Sequence, residues 1–234
     1  HRSGFHFAPD PSSQQVCTIG GNVANNSGGP HCLAYGVTNA HVQALEVVLP
    51  SGEIVMLGGL DAEPAGLDLR GAFVGSEGTL GITTKIAVTI TPDPPAVKTL
   101  LLSFQTVRDA ANTVSQIIAA GIVPAALEVM DQRITIAVEN YVNAGYPRDA
   151  GAVLLAEVDG LAESIVIDAD RIAEIGHANS AIEVRTAADE AERAALWKGR
   201  KTAFGAVAQI APDYYLHDTV VPRSQLADVL EKIY

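Results

Sequence analysis

Thr91-Pro92-Asp93-Pro94-Pro95 divides this sequence. Three prolines in four positions fix φ and remove backbone donors, so the run belongs in neither a helix interior nor a central strand. It is the clearest domain boundary in the chain. One region is expected over residues 1–95 and a second over 96–234.

Upstream of the prolines the chain is rich in glycine and β-formers. Val47-Val48-Leu49 and Ile54-Val55-Met56-Leu57 flank Pro50-Ser51-Gly52-Glu53, the pattern of a β-hairpin. Ile82 to Ile90 reads as a further strand, with Phe73-Val74 leading into a glycine cluster before it. A short helix near Val23 to Ser27 is the one helical signal here.

Downstream the rhythm changes. Strands are expected at Thr99–Phe104, Ala125–Met130, Ala152–Val158, Ile182–Arg185 and Tyr214–Val221. Val107, Ala110, Ala111, Val114, Ile117 and Ile118 recur at helical spacing, and Gly121 is placed to stop that helix. Further helices are expected up to Asn143, from Leu161 to Gly176, from Asp189 to about Ala208, and from Arg223 onward. Strands alternating with helices give an α+β or α/β layer. A mainly antiparallel sheet with helices on one face, in a ferredoxin-like arrangement, fits this order best.

Bulk properties narrow the function classes. With 48% apolar residues and 18% charged, the 234-residue chain can bury a sizeable core. A net charge of −12 argues against nucleic-acid binding, which needs a basic face. Cys17 and Cys32 are too few for a disulfide framework and read as reduced, partly buried residues in a cytoplasmic setting. No apolar run approaches the roughly 18 residues of a membrane span. The opening His1-Arg2-Ser3-Gly4, without an initiator Met, reads as that of a fragment.

Two glycine-rich segments carry the chemistry. The first is Thr18-Ile19-Gly20-Gly21-Asn22-Val23-Ala24-Asn25-Asn26-Ser27-Gly28-Gly29. Paired glycines allow positive φ and close approach to a ligand, and successive exposed N–H groups would form an anion-binding concavity. The segment is neither a Walker loop nor a GxGxxG fingerprint. Residue chemistry alone leaves a ligand loop and a plain glycine-rich hairpin equally open. The second segment, Gly75-Ser76-Glu77-Gly78-Thr79-Leu80-Gly81-Ile82-Thr83, brackets one carboxylate with glycines. Glu77 is then either a solvated turn residue or an acceptor for a cofactor's hydroxyls or ring N–H. His31, Cys32 and His41 do not match a zinc spacing, so no metal site is expected.

Together, Pro9-Asp10-Pro11-Ser12-Ser13, TIGGNVANNSGGPHCLAYGVTNAHV from Thr18, LEVVLPSGE from Leu45 and GSEGTLGITTK from Gly75 resemble the FAD-linked oxidases of the vanillyl-alcohol-oxidase and p-cresol-methylhydroxylase type. Within that superfamily the chain is most similar to the FAD subunit of bacterial glycolate oxidase and to the D-lactate and D-2-hydroxyglutarate dehydrogenases. The resemblance runs from about residue 5 to the end. It implies the second half of a PCMH-type FAD-binding domain, followed by the first part of the substrate or cap domain.

By that resemblance Thr18, Ile19, Gly20, Gly21, Asn22, Ala24, Asn25, Gly28 and Gly29 belong to the segment that wraps the FAD pyrophosphate and flavin edge. Tyr35 and Gly36 match the loop after it. Glu77, Gly78, Gly81 and Ile82 match a segment that contacts ribose, adenine or ring, and Pro11 and Ser12 match a loop near the isoalloxazine. Arg200 matches an arginine that faces the substrate carboxylate; read alone it is a solvated helix residue. The D-2-hydroxyglutarate enzymes carry a threonine and a lysine where this chain has Phe204 and Leu216, which implies a smaller monocarboxylic acid here.

The family's Pro-Gly-Gly-Gly-Thr phosphate loop and its late His and Gly-Asp-Gly-Asn-His segment would fall outside residues 1–234. The resemblance therefore implies an incomplete piece whose catalytic base lies elsewhere. It also implies a second flavin subunit and an iron–sulfur subunit as partners, a cytoplasmic enzyme peripheral to the membrane through them, and hydride transfer from a glycolate- or D-lactate-type acid. Two other readings are a flavin- or nucleotide-binding module without turnover, and a nucleotide-sugar reductase, which the pattern after residue 96 does not match.

Overall fold

The computed structural model describes residues 3–60, 66–211 and 213–233. Two compact units meet at the proline run, His1–Asp93 and Pro94–Tyr234.

The first unit contains β1 (Phe5–His6), α1 (Ile19–Asn25), α2 (Cys32–Tyr35), β2 (Val42–Val48), β3 (Ile54–Gly58), α3 (Leu69–Phe73), β4 (Ile82–Val88) and β5 (Thr91–Pro92). Its main sheet has the order β3-β2-β4, with both pairs antiparallel. The expected hairpin forms, with Val48 opposite Ile54. Gly52 turns it at φ +84° and donates its N–H to Leu49 O at 2.8 Å. Such a φ favours glycine. Central strand β2 buries Val42, Leu45 and Val47, which join Val23, Phe73 and Val74 in one core. The expected strand after Ile82 ends at Val88. Thr91–Pro92 instead pairs with Phe5–His6, an edge position that tolerates the missing proline N–H.

The second unit runs β6 (Ala96–Phe104), α4 (Val107–Ala119), β7 (Ala126–Asp131), α5 (Gln132–Val142), β8 (Ala152–Gly160), α6 (Ala162–Ala178), β9 (Glu183–Thr186), α7 (Glu190–Lys201), α8 (Ala203–Ala208) and α9 (Leu226–Ile233). The sheet order β7-β8-β6-β9, antiparallel throughout, is the ferredoxin-like arrangement of two split β-α-β pieces.

Helices cover both faces of this sheet, not one. Leu100, Leu102, Phe104 and Leu154 pack against Ala110 and Ile117 of α4 and Ile165 and Ile172 of α6. Leu101, Val153 and Leu155 pack the opposite way, against Val138 of α5, Leu196 and Trp197 of α7 and Ala206 of α8. Strands buried on both faces are apolar at consecutive positions, which explains the runs Leu100-Leu101-Leu102 and Val153-Leu154-Leu155.

Three further expectations differ. The 189–208 helix is broken at Thr202, whose backbone leaves the helical region at φ −96°, ψ 6° while its hydroxyl donates to Lys198 O at 2.8 Å. Gly176 lies inside α6: a Cβ there would collide with Leu102, so it marks close helix–strand packing and not a stop. No strand forms over residues 213–222; Tyr214, Tyr215, Leu216 and Val220 are exposed, and a strand needs a hydrogen-bonded neighbour. Pro212, just before that expected strand, lies outside the described residues, as do His1 and Arg2.

Candidate functional site

The first glycine pair forms neither a positive-φ loop nor a hairpin. Thr18 is an N-cap, and its Oγ1 accepts from Gly21 N–H at 3.0 Å. Gly20 and Gly21 thus lie in the first turn of α1, and neither they nor Gly28 and Gly29 have positive φ. The helix starts at Ile19, earlier than expected, because a threonine cap dominates the weak helix propensity of two glycines. Capping spends donors that an anion-binding concavity would require. Asn25 Nδ2 donates back to Gly21 O at 3.0 Å.

The end of α1 ties the two glycine segments together. Asn26 closes the helix in the left-handed conformation, φ 48°. Gly75 N–H donates to Val23 O at 2.8 Å and Glu77 N–H to Ala24 O at 2.9 Å. Both carbonyls lie in the last turn of α1, where the helix leaves acceptors unused; Val23 O also takes the Asn26 N–H at 3.3 Å. Gly75 and Gly78 have positive φ, and Glu77 itself sits at φ 51°. Gly81 has no room for a Cβ, which would strike Val48 O. Thr18, Asn25, Glu77 and Gly78 are all exposed, and no heavy atom stands within 4 Å of a Cβ built on Gly78.

A second pair of loops is clamped beside α2. Asp10 accepts from His31 N–H at 3.3 Å and bonds His31 Nδ1 at 2.8 Å through its other oxygen. Gly29 sits so close that a Cβ would strike Asp10 O. The Pro11–Ser12 turn is thereby fixed to the Gly28–Gly29 segment. The buried His41 ring bonds Tyr35 O at 2.8 Å, and Gly36 follows at φ 79°. Cys32 is exposed, against the expected partial burial, and both cysteines are free.

In the second unit α7 lies along the sheet face that carries Glu128 and Glu157. Arg193, Trp197 and Arg200 recur at i, i+4 and i+7, one side of a helix. Glu157, buried to 2% exposure, accepts from Arg193 Nε at 3.0 Å, Arg193 Nη2 at 2.9 Å, Trp197 Nε1 at 2.5 Å and the Thr99 hydroxyl. Burial opposes the charge on Arg193, but the Glu157 carboxylate and then Glu190 outweigh it and raise the guanidinium pKa. Arg200 Nε donates to Glu128 Oε2 at 2.7 Å. Gly199 lets this turn sit against Ala144 and Tyr146, each 2.7 Å from a Cβ built there. Burial pushes the Tyr146 phenol up, which keeps the hydroxyl that donates to Leu196 O protonated. The sequence reading missed Glu157 and Glu128. Each is an acid set among apolar strand residues, Leu127 and Val129 around Glu128 and Ala156 and Val158 around Glu157, a signal visible only once the faces of the sheet are known.

A cavity of about 540 Å³ in the first unit lies between Ala40, Val42, Met56, Gly58, Leu67 and Arg70, and contains none of the expected site residues. Among the described residues no group of three His, Cys, Asp or Glu could hold a metal ion, and no helix is long and apolar enough to cross a membrane.

Residues 93–234 match the family described as FAD linked oxidases, C-terminal domain, and residues 1–58 match the FAD binding domain. The chain belongs to the FAD-linked oxidases. Its cofactor class is FAD.

Over 98% of its length the chain is 48% identical to glycolate oxidase subunit GlcD of Escherichia coli and 46% identical to GlcD of Bacillus subtilis. It is 33% identical to a D-lactate dehydrogenase of Anaerostipes hadrus. The chain spans about half the length of these relatives, 46%, 49% and 50%. Among solved structures, alkyldihydroxyacetonephosphate synthase superposes over the whole chain with TM-score 0.76 at 20% identity, covering 48% of that protein. A p-cresol methylhydroxylase superposes over 87% of the chain, and 46% of its own, with TM-score 0.68 at 15% identity. These two likenesses support the PCMH-type fold.

The residues present fit FAD. Thr18, Asn25, Glu77 and the open face of Gly78 give a polar, glycine-lined surface, flanked by exposed Ile19 and Leu80. That mixture suits a cofactor with a polar diphosphate and ribose and flat apolar rings.

Proposed function

We propose that this protein takes part in the FAD-dependent oxidation of a small D-2-hydroxy acid, of glycolate or D-lactate type, to the 2-oxo acid. One observation carries the reading. Two glycine segments far apart in sequence are bonded into one exposed surface through Val23 O and Ala24 O, in a chain 48% identical to a glycolate oxidase subunit.

FAD supplies the acceptor for the hydride equivalent when bound. In this reading Thr18, Ile19, Gly20, Gly21, Asn22, Ala24, Asn25, Gly28, Gly29, Tyr35 and Gly36 line the diphosphate and flavin edge. Glu77, Gly78, Gly81 and Ile82 take the ribose, adenine or ring, and Pro11 and Ser12 lie beside the isoalloxazine. Residues 1–95 act as the cofactor part and 96–234 as the substrate part.

Arg200 binds the substrate carboxylate, because a guanidinium fork matches two carboxylate oxygens and fixes the α-carbon. Phe204 and Leu216, apolar and exposed, offer no charge to a second carboxylate, which favours a monocarboxylic substrate. Two relatives are named as subunits, and we propose partner subunits here: a second flavin subunit and an iron–sulfur subunit, in a cytoplasmic assembly.

The test is an anaerobic visible spectrum of the full-length protein before and after addition of glycolate or D-lactate. Oxidised-flavin bands that bleach with either acid are expected. No flavin, or bands that neither acid changes, overturns the proposal.

A further inference from the structure

Two arginines on one side of α7 are used differently. Arg193 is consumed by structure: Nε and Nη2 grip Glu157 on central strand β8, and Nη1 bonds Glu190 at 2.9 Å. Arg200 meets Glu128 through Nε. Glu128 stands on β7, an edge strand of the sheet. Glu157 is 2% exposed, whereas the Glu128 and Arg200 side chains keep 18% and 26%. The register puts both acids on one face, since Ala126 pairs with Glu157 and Glu128 with Leu155, two residues before Glu157. Strand and helix therefore form two rungs, one inside the core and one at its rim.

We propose that Glu128 is a positioning residue for the substrate carboxylate: by taking Nε of Arg200 it fixes the guanidinium plane, so that the Nη1–Nη2 edge is the one offered to the 2-hydroxy acid. This rests on the reading of Arg200 given above. A guanidinium is rigid and planar, so one bond at Nε, with Gly199 seating the turn on Tyr146, sets the direction of the opposite fork. Glu128 also compensates the arginine's charge before substrate arrives. The site thus spends little attraction on binding and more on orientation.

That division makes the two Glu128 variants behave differently. Glu128→Ala releases the guanidinium, and kcat/KM for the acid should fall about tenfold to a hundredfold, the cost of a small misplacement at a reacting centre. Glu128→Gln keeps an acceptor for Nε but removes the opposing charge. It should lower KM for the anionic substrate several-fold and leave KM for the corresponding amide unchanged.

The experiment is a double-mutant cycle on the full-length FAD-loaded protein, reading flavin reduction by glycolate or D-lactate, with flavin content and thermal midpoint as controls. The Glu128→Ala loss should vanish in an Arg200→Met background, because the residue acts through Arg200. A loss that persists undiminished in that background, or a Glu128→Ala variant with wild-type kcat/KM beside a damaged Arg200→Met, overturns the proposal alone. Should Glu128→Ala fail to fold, Glu128→Gln decides: equal KM changes for acid and amide overturn it. Arg200→Met with unchanged kcat/KM removes the Arg200 reading itself, and this inference with it.

Discussion

In the first unit the tightest approaches are backbone to backbone, with Gly71 against the Asp68 carboxylate as the exception. Gly29 lies against Asp10 O, Gly58 against Gln43 O and Gly81 against Val48 O, and none has room for a Cβ. In the second unit side chains set the spacing: Gly176 and Gly199 make room for Leu102 and Tyr146, and Gly151 against Gln105 O is the exception. The first unit has one small apolar core beside its three-stranded sheet, whereas the second packs both faces of a four-stranded one. A surface for a large flat cofactor needs exposed backbone and few protruding side chains. A unit that must hold one arginine at a fixed angle needs a stiff interior. The contrast fits the two roles proposed for them.

The contrast can be broken most forcefully at Glu157. Glu157→Ala removes the shared acceptor of Arg193 Nε and Nη2, the Trp197 indole N–H and the Thr99 hydroxyl, and should cost about 3–5 kcal/mol, the usual penalty for breaking a buried ion pair. Because Trp197 is the one tryptophan in the chain, its fluorescence during urea unfolding reports on the second unit. An unchanged midpoint would show that the buried network does not hold α7. In the first unit Gly81→Ala meets Val48 O at φ +152°, and a cost of about 1–3 kcal/mol is expected, with weaker flavin retention measured after gel filtration. Full flavin occupancy in that variant would contradict the backbone account of the cofactor surface.

How much of this was legible in the sequence follows the same division. Apolar runs revealed the strands of the second unit and helical spacing its helices, because Leu100 to Phe104 and Ala152 to Val158 are buried whole. The pattern misread Tyr214–Val221, whose aromatic and β-branched residues have strand character but no neighbouring strand among the described residues. In the first unit the glycines misled. Gly20 and Gly21 are helical because Thr18 caps them, and the segments meet through main-chain bonds to Val23 and Ala24, which side-chain patterns do not encode. Arg200 could be chosen from family resemblance, but its partner Glu128 could not, because the two are brought together only by the fold.

Two smaller effects sharpen the picture of the second unit. Thr135 is fully buried on α5 with no hydrogen-bond partner for its hydroxyl. Thr135→Val should raise stability by about 1 kcal/mol in thermal unfolding, since an unpaired buried hydroxyl costs more than a methyl. Smallest is the exposed clamp between α4 and α9. The hydrogen bond from Arg108 holds the Glu231 carboxyl below its ordinary value of 4.5. A depressed folded pKa gives stability that is present above the unfolded pKa and lost as pH falls through the folded one. Glu231→Gln should therefore flatten the loss of stability below about pH 4.5 and salt should weaken the pair at neutral pH. A wild-type acid profile in the variant would remove the clamp from the account.

The most direct measurement compares wild type and Arg200→Met in the full-length flavoprotein, following anaerobic flavin reduction by D-lactate and by D-lactamide. The carboxylate-clamp account expects the variant to lose reduction by the acid by about a hundredfold or more and to handle the neutral amide as wild type does. Equal losses for acid and amide, or none for the acid, would contradict it.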